Sequence, residues 1–349
     1  METQQNGKTV LITGASSGIG RELTRLFAKD GYDLVLIGRN EEMLQQHAYN
    51  VKNQYGTTAT IINKDLSDPN APEEIYAETT GKGIQVDVLV NDAGFGEYGQ
   101  FATETDLQKE LAVVQVNAVA LMHLTKLYLK DMVARNDGKI LMLGSEVSVF
   151  PNPMMAVYGA TKAFIKSFSE GIRNELKDTN ITVTVLMPGA TNTNFFNAAG
   201  AAHIKGADPQ KTADPAAVAR EGYDALMAGK DHVVAGWMNK ARVALAHVLP
   251  DPLLAAGVRR DMTPKEEADQ QQQKQLIAIA VTVGVVLGGL WLLSRNRSSL
   301  VPISPYDKVR YKYKAYKAKK SAEHAVSSVG DTIKGAYQNV KATAESALA

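Results

Sequence analysis

Through the first 190 residues, short runs of Val, Ile and Leu alternate with longer stretches whose apolar positions recur every three or four residues. The runs at 9–13, 33–38, 58–63, 87–91, 138–144 and 181–187 carry little of the every-other-residue polarity of a sheet with one wet face. Strands of that kind are covered on both sides, which predicts a parallel sheet between two layers of helices. Segments 19–30, 41–55, 107–135 and 157–178 supply the helices, and right-handed crossovers through them wind the sheet both ways. The expected fold class is α/β, a doubly wound parallel sheet. A helix at 215–228 and a last strand at 232–236 follow.

Residues 188–212 are Pro, Gly, Asn and Ala without periodicity and predict a long loop, a feature that in a compact domain usually carries function. Residues 241–258 are apolar but interrupted by Pro250 and Pro252, and fit either core or a membrane-facing surface. The pattern changes at 276–293, eighteen residues without a charge. As a helix this run spans about 27 Å, close to the ~30 Å hydrocarbon core of a bilayer. Trp291 near its end, with Arg295 and Arg297 just beyond, suits a membrane interface. A buried core helix is the alternative, but it would usually keep one polar face, and this run has none. The chain thus divides into an α/β domain (1–240), an extension and linker (241–275), a transmembrane helix (276–293) and a tail (294–349).

Charge separates these parts. Residues 294–349 hold 11 Lys/Arg and 4 Asp/Glu, a net of +7; taken from totals of 38 and 37, this leaves 27 and 33 in residues 1–293, a net of −6. Tyrosines interleave with lysines between 302 and 320, which fits contact with anionic lipid or a solvated basic linker, and less well nucleic acid. Apolar residues at helical spacing in 326–348 predict a weakly amphipathic helix. With no cysteine there is no disulfide and no thiolate chemistry, and the six histidines show no ligand spacing, so no metal site is expected. The polar start, residues 1–8, has no apolar signal core, so the α/β domain is expected in the cytosol.

The first strand runs into Thr13-Gly14-Ala15-Ser16-Ser17-Gly18-Ile19-Gly20, where a helix begins. Glycines let the backbone turn tightly against a pyrophosphate, and the helix start offers free N–H groups to the anion. Gly14, Ser16, Ser17, Gly18, Ile19 and Gly20 are therefore candidate cofactor contacts. The second strand ends in Gly38-Arg39-Asn40. An acid there would bind both ribose hydroxyls of NAD, whereas an arginine accommodates a 2′-phosphate. Arg39 with no acid beside it favours NADP(H) over NAD(H), unless it is only a surface residue opening a loop.

The Thr-Gly-x-x-x-Gly-Ile-Gly spacing resembles the short-chain dehydrogenase/reductase family, and the resemblance continues in order through the α/β domain. Asn91-Asp92-Ala93-Gly94 is similar to its Asn-Asn-Ala-Gly motif, Asn117 lies in the long helix, and Ser145 follows the fifth strand. Tyr158-x-x-x-Lys162 comes next, then Pro188-Gly189 and Thr193 of its Pro-Gly-x-x-x-Thr segment. Asp92 departs from the usual second asparagine, and Thr191 from a branched apolar residue. The resemblance implies cofactor contacts at Asn91, Ala93, Gly94, Pro188, Gly189, Thr191 and Thr193, with Asp65 and Leu66 at the adenine. It also implies that Lys162 binds the nicotinamide ribose, that Asn117 holds a proton-relaying water, and that the enzyme is a homo-oligomer.

Tyr158 and Lys162, four apart, share a helix face, and a positive Lys162 is expected to favour phenolate and lower a pKa of about 10. Tyr158 would then exchange the proton of a carbonyl/alcohol pair while Ser145 stabilises charge on its oxygen. Taken alone, the Tyr–Lys spacing arises by chance, Ser145 could cap a turn, and Asn117 could be satisfied by backbone. Val147, Val149, Phe150, Met154, Met155, Phe195 and Phe196 are expected around the substrate and predict an apolar, lipid-like carbonyl compound, reduced with NADPH. The full expectation is a single-pass membrane enzyme with its catalytic domain in the cytosol. The rivals are a non-catalytic nucleotide-sensing membrane adaptor that kept the fold, and a membrane-organising tail with the enzyme as passenger.

Overall fold

The strands β1 (Thr9–Thr13), β2 (Asp33–Gly38), β3 (Ala59–Asn63), β4 (Val88–Asn91), β5 (Gly138–Leu143), β6 (Ile181–Met187) and β7 (His232–Val234) form the centre of the computed structural model, which describes residues 6–264. They make one parallel sheet in the order β3-β2-β1-β4-β5-β6-β7. Alternate residues of each strand enter opposite layers, which is why the runs are apolar throughout. In β1, Val10 and Ile12 pack on one side with Leu23, Phe27 and Tyr223, while Leu11 packs on the other with Ile75, Leu121 and Leu124. The doubly wound parallel sheet expected from the pattern is the fold observed, with strand ends moved by one or two residues.

The helices are α1 (Gly18–Lys29), α2 (Glu41–Tyr55), α3 (Ala71–Gly81), α4 (Leu107–Val114), α5 (Leu121–Arg135), α6 (Ala156–Glu175), α7 (Phe195–Ala198), α8 (Pro215–Met227), α9 (Trp237–Ala246) and α10 (Asp251–Asp261). The pattern did not mark α3, where only Ala71, Pro72, Ile75 and Thr79 are buried and no continuous apolar stripe exists. A π turn at Gln115–Ala120 joins α4 to α5, so that Leu107–Arg135 is one continuous helix. Among the described residues it is the one helix long and apolar enough to cross a membrane, and half of its most apolar stretch is buried in this domain. Leu121, Leu124, Tyr128 and Met132 belong to the core beside the sheet.

The expected loop and the proline-interrupted apolar stretch are both partly helical. The long loop at 188–212 contains α7 and a 3₁₀ turn, Lys205–Ala207. The prolines in 241–258 start a helix rather than break one: Pro250 is the cap of α10 and Pro252 lies in its first turn, where a missing N–H costs nothing. Residues 241–264 also pack on the α/β domain, with Val243 and Val258 buried. The expected transmembrane helix at 276–293, the basic tail at 294–349 and the linker from 265 lie outside the described residues.

Candidate functional site

The carboxyl ends of β1, β2, β4, β5 and β6 open on one cavity of about 900 Å³. It sits beside the β1–β4 boundary, where successive crossovers leave in opposite directions and α/β sheets bind ligands. Glycine is required at its floor. Gly14 and Gly18 have φ of +71° and +56°, and a Cβ on Gly20 would lie 2.6 Å from both the Gly14 carbonyl oxygen and Asp92 Oδ2. Ser17 precedes α1 without a side-chain cap, so its hydroxyl leaves the first-turn N–H groups to a ligand. Ser16, Ser17, Gly18 and Ile19 line the cavity, whereas Gly20 lies behind it, where its role is close packing.

At the β2 end, Arg39 is mostly exposed and stands 3.7 Å from Asp65, which follows β3. Burial works against the Asp65 carboxylate, but hydrogen bonds from Ser67 and the Arg39 charge hold its pKa below the usual value. Leu66 is buried beside it in the cavity wall.

The central strands are held by one hydroxyl. Thr13 Oγ1 accepts from the Asp92 and Ala93 N–H groups, at 3.1 Å each, and donates to the Val90 carbonyl at 3.3 Å. Asn91 lies outside the cavity lining and donates to Thr125 Oγ1 at 3.0 Å, so its side chain braces β4 against α5. Ala93 and Gly94 line the cavity. Asn117, in the π turn, is fully buried. Its amide donates to the Phe95 carbonyl (2.9 Å) and Thr161 Oγ1 (3.1 Å), and its oxygen accepts from the Phe95 N–H (3.1 Å).

Ser145 and Tyr158 meet in the cavity wall. Ser145 Oγ accepts from the Val147 N–H and donates to the Pro188 carbonyl, both at 3.3 Å, and its hydroxyl also favours the ionised form of Tyr158 by hydrogen bonding. Burial nevertheless pushes the Tyr158 phenol well above its ordinary value, and the Glu146 charge adds to the rise. The sequence expectation was a lowered phenol. The structure differs because Lys162 Nζ donates to the Leu143 carbonyl at 2.7 Å and lies 5.5 Å from the centre of the Tyr158 ring. Lys162 is itself brought down to about 8 by burial, with Asp92 opposing. Pro188, Gly189, Thr191 and Thr193 line the side under β6; Thr193 contacts the Gly18 position, and a Cβ on Gly189 would strike Asn239 at 2.4 Å.

The expected substrate side is apolar: Val147, Phe150, Met155, Phe195 and Phe196 face the cavity. Met154 takes a left-handed φ of +67°, unusual for a side chain of this size, and its carbonyl accepts from the Gly99 N–H at 2.9 Å. Sequence reasoning missed the opposite wall, where Val258 and Met262 of the C-terminal segment close the chamber against Val147, Phe150 and Tyr158. The signal was available in Leu254, Val258 and Met262, spaced four apart. It also missed an ion-pair chain in which Arg242 reaches Glu146 at 3.3 Å and Asp261 at 3.4 Å. Those three residues come from distant segments, and no local pattern joins them.

The short chain dehydrogenase family model matches residues 8–203. The chain is 34% identical over 189 residues to the NADP-dependent 3-hydroxy acid dehydrogenase of Escherichia coli K12, covering 54% of this chain and 75% of that protein. It is 33% identical over 189 residues to the very-long-chain 3-oxoacyl-CoA reductase of Anas platyrhynchos, covering 52% and 59%. A short-chain dehydrogenase from Sphingobium yanoikuyae in complex with NADPH superposes with a TM-score of 0.60 at 26% identity, covering 70% of this chain and 96% of that one.

Asp92 generates a prediction. Burial drives its carboxyl up to about 7, with Lys162 and the Gly20 N–H opposing, and its Oδ1 has no hydrogen-bond partner among the described residues. The folded chain then keeps a proton that the unfolded chain releases near pH 4, so this group's contribution to stability falls as pH rises from about 4 to about 7. An Asp92→Asn variant lacks that loss. Its stability relative to the parent should increase between pH 5 and pH 7.5 in urea unfolding; a constant difference would mean that Asp92 is ionised throughout.

Proposed function

This chain belongs to the short-chain dehydrogenase/reductase family, and from that premise we propose that it is an NADP(H)-dependent oxidoreductase that reduces an apolar carbonyl compound to its alcohol. The observation that carries the reading is the meeting of Ser145 and Tyr158 in the wall of the cavity that the glycine turn also lines. The residues fit the dinucleotide. The bare glycine cradle and the uncapped start of α1 suit a pyrophosphate, and Arg39 at the rim suits a 2′-phosphate. Asp65 and Leu66 would flank the adenine, and Ala93, Gly94, Pro188, Gly189, Thr191 and Thr193 would form the walls around the nicotinamide half. The Escherichia coli relative is named NADP-dependent, and the Sphingobium structure holds NADPH, which supports the same choice.

When bound, the nicotinamide supplies hydride. The protein must hold the carbonyl and deliver a proton. Ser145 would hydrogen-bond the carbonyl oxygen as charge builds there. The Tyr158 phenol is protonated at neutral pH and would donate to that oxygen as hydride arrives. Lys162 would bind the ribose from its place beside the Leu143 carbonyl. The Asn117 amide is spent on Phe95 and Thr161, so any part in proton relay falls to its main chain. The apolar chamber supports a lipid-like substrate, and the Anas relative's name describes an acyl chain. Tethering by residues 276–293, with the catalytic domain on the cytosolic side, belongs to the same reading.

Four outcomes are expected. With purified full-length chain, NADPH oxidation should rise with ketone chain length. Tyr158→Phe should lower kcat by ~10²–10⁴-fold while NADPH still binds; NADPH binding with no turnover of any ketone would instead favour the adaptor. Arg39→Ala should raise KM for NADPH by about 10–100-fold and leave KM for NADH nearly unchanged; equal effects would make Arg39 a plain surface residue. Leu107, Leu111, Val114, Met122 and Phe164 are exposed apolar residues on the Leu107–Arg135 helix and α6, and they support self-association. Sedimentation in detergent should show an oligomer that Leu111→Glu weakens, and a monomer at micromolar concentration would remove that part of the reading.

A further inference from the structure

The C-terminal helices carry an apolar surface that the reaction does not use. Met238, Ala241, Leu245 and Val248 recur three or four residues apart and fall on one side of α9 and its end. Val243 points the other way, into a cluster with Val185, Met187 and Val234. Trp237 is 77% exposed and Val248 79%, and Leu245, Leu249 and Leu253 continue the exposed surface through the turn into α10. Isolated exposed apolar residues need no explanation, but a run along two consecutive helices marks a contact surface.

We propose that this surface of α9 and α10 lies in the headgroup and upper acyl layer of a lipid bilayer, so that the cavity takes its substrate directly from the membrane. The proposal rests on the reading of this chain as a tethered reductase of apolar carbonyl compounds. Three observations select a bilayer over a protein partner. Trp237 and Met238 belong both to the exposed surface and to the cavity lining, so the surface is continuous with the cavity mouth. A rigid protein seated there would stop the mouth, whereas lipid leaves it open to a solute that partitions into lipid. The surroundings are basic: residues 237–264 hold Lys240, Arg242, Arg259 and Arg260 against Asp251 and Asp261, although residues 1–293 together are net acidic. Such a rim suits anionic headgroups, and a tryptophan among aliphatic side chains suits the interface. Finally, eleven residues separate Pro264 from the uncharged run that begins at Leu276. Fully extended they reach roughly 40 Å, so a membrane-inserted run would leave this surface within reach of the bilayer.

The chain has two tryptophans, so Trp291→Phe leaves Trp237 as the sole emitter. This full-length variant would be mixed with phosphatidylcholine/phosphatidylglycerol vesicles, with and without bromine high on the acyl chains, and floated on a density gradient. The proposal expects flotation, a blue-shifted Trp237 emission and quenching by the brominated lipid. Flotation with water-like, unquenched emission would overturn the proposal and leave the tether standing. Failure to float would overturn both. A Trp237 already blue-shifted before vesicles are added would mean that a second copy or the chain's own tail covers the surface, and would also overturn it. As an independent readout, Val248→Ser with Leu253→Ser should leave kcat/KM for a short water-soluble ketone unchanged. The same pair should lower kcat/KM for a long-chain ketone delivered in vesicles by about tenfold; equal values for variant and parent would count against the membrane route.

Discussion

The Thr13 hydroxyl is the constraint on which the site depends. By accepting from two consecutive N–H groups after β4 and donating back to Val90, it fixes the ends of the two central strands against each other. That contact sets how much space remains over the sheet. Ala93 comes within 3.0 Å of where a Gly14 Cβ would be, and Asp92 and the Gly14 carbonyl press equally hard on Gly20. The glycines are thus required by the packing as well as by a phosphate.

Close packing also makes the electrostatics unusual. Asp92, Tyr158 and Lys162 are withdrawn from water together, and desolvation is the largest influence on each. Burial favours a neutral acid, a neutral phenol and a neutral amine; Asp92 and Lys162 oppose this in each other, and the Gly20 N–H does so at Asp92. Asp92 and Lys162 are therefore a coupled pair, and a change at either shifts the other. Glu146 repeats the arrangement on the substrate side, raised by burial and countered by Arg242. Breaking either pair leaves a buried charge alone, which costs more than the intact pair contributes.

How much of this was legible follows from the range of each signal. The sheet was readable because alternate residues of every central strand enter different hydrophobic layers, leaving an unbroken apolar run in the sequence. The glycine turn, Ser145, Tyr158 and Lys162 were readable because each follows a strand end or opens a helix at fixed local spacing; the structure brings the turn, Ser145 and Tyr158 to one cavity, with Lys162 buried beside Tyr158 outside its lining. The direction of the Tyr158 shift was not. Sequence spacing gives the helix face that Lys162 shares, but the shift depends on burial and on Lys162 being bound to Leu143, a strand away. The α3 helix was missed for want of an apolar stripe, and Arg242 was missed because its partners lie 96 positions before it and 19 after.

The C-terminal helices show how a late segment can complete an early site. Val258 and Met262 wall the chamber beside Tyr158, and the Met262 carbonyl accepts from the Tyr98 hydroxyl at 2.8 Å. Lys205 N–H bonds to the Thr263 carbonyl at 3.1 Å, and Ile204 pairs with Pro264. The chain therefore clamps the segment after β6, which carries Phe195 and Phe196, immediately before it leaves the domain.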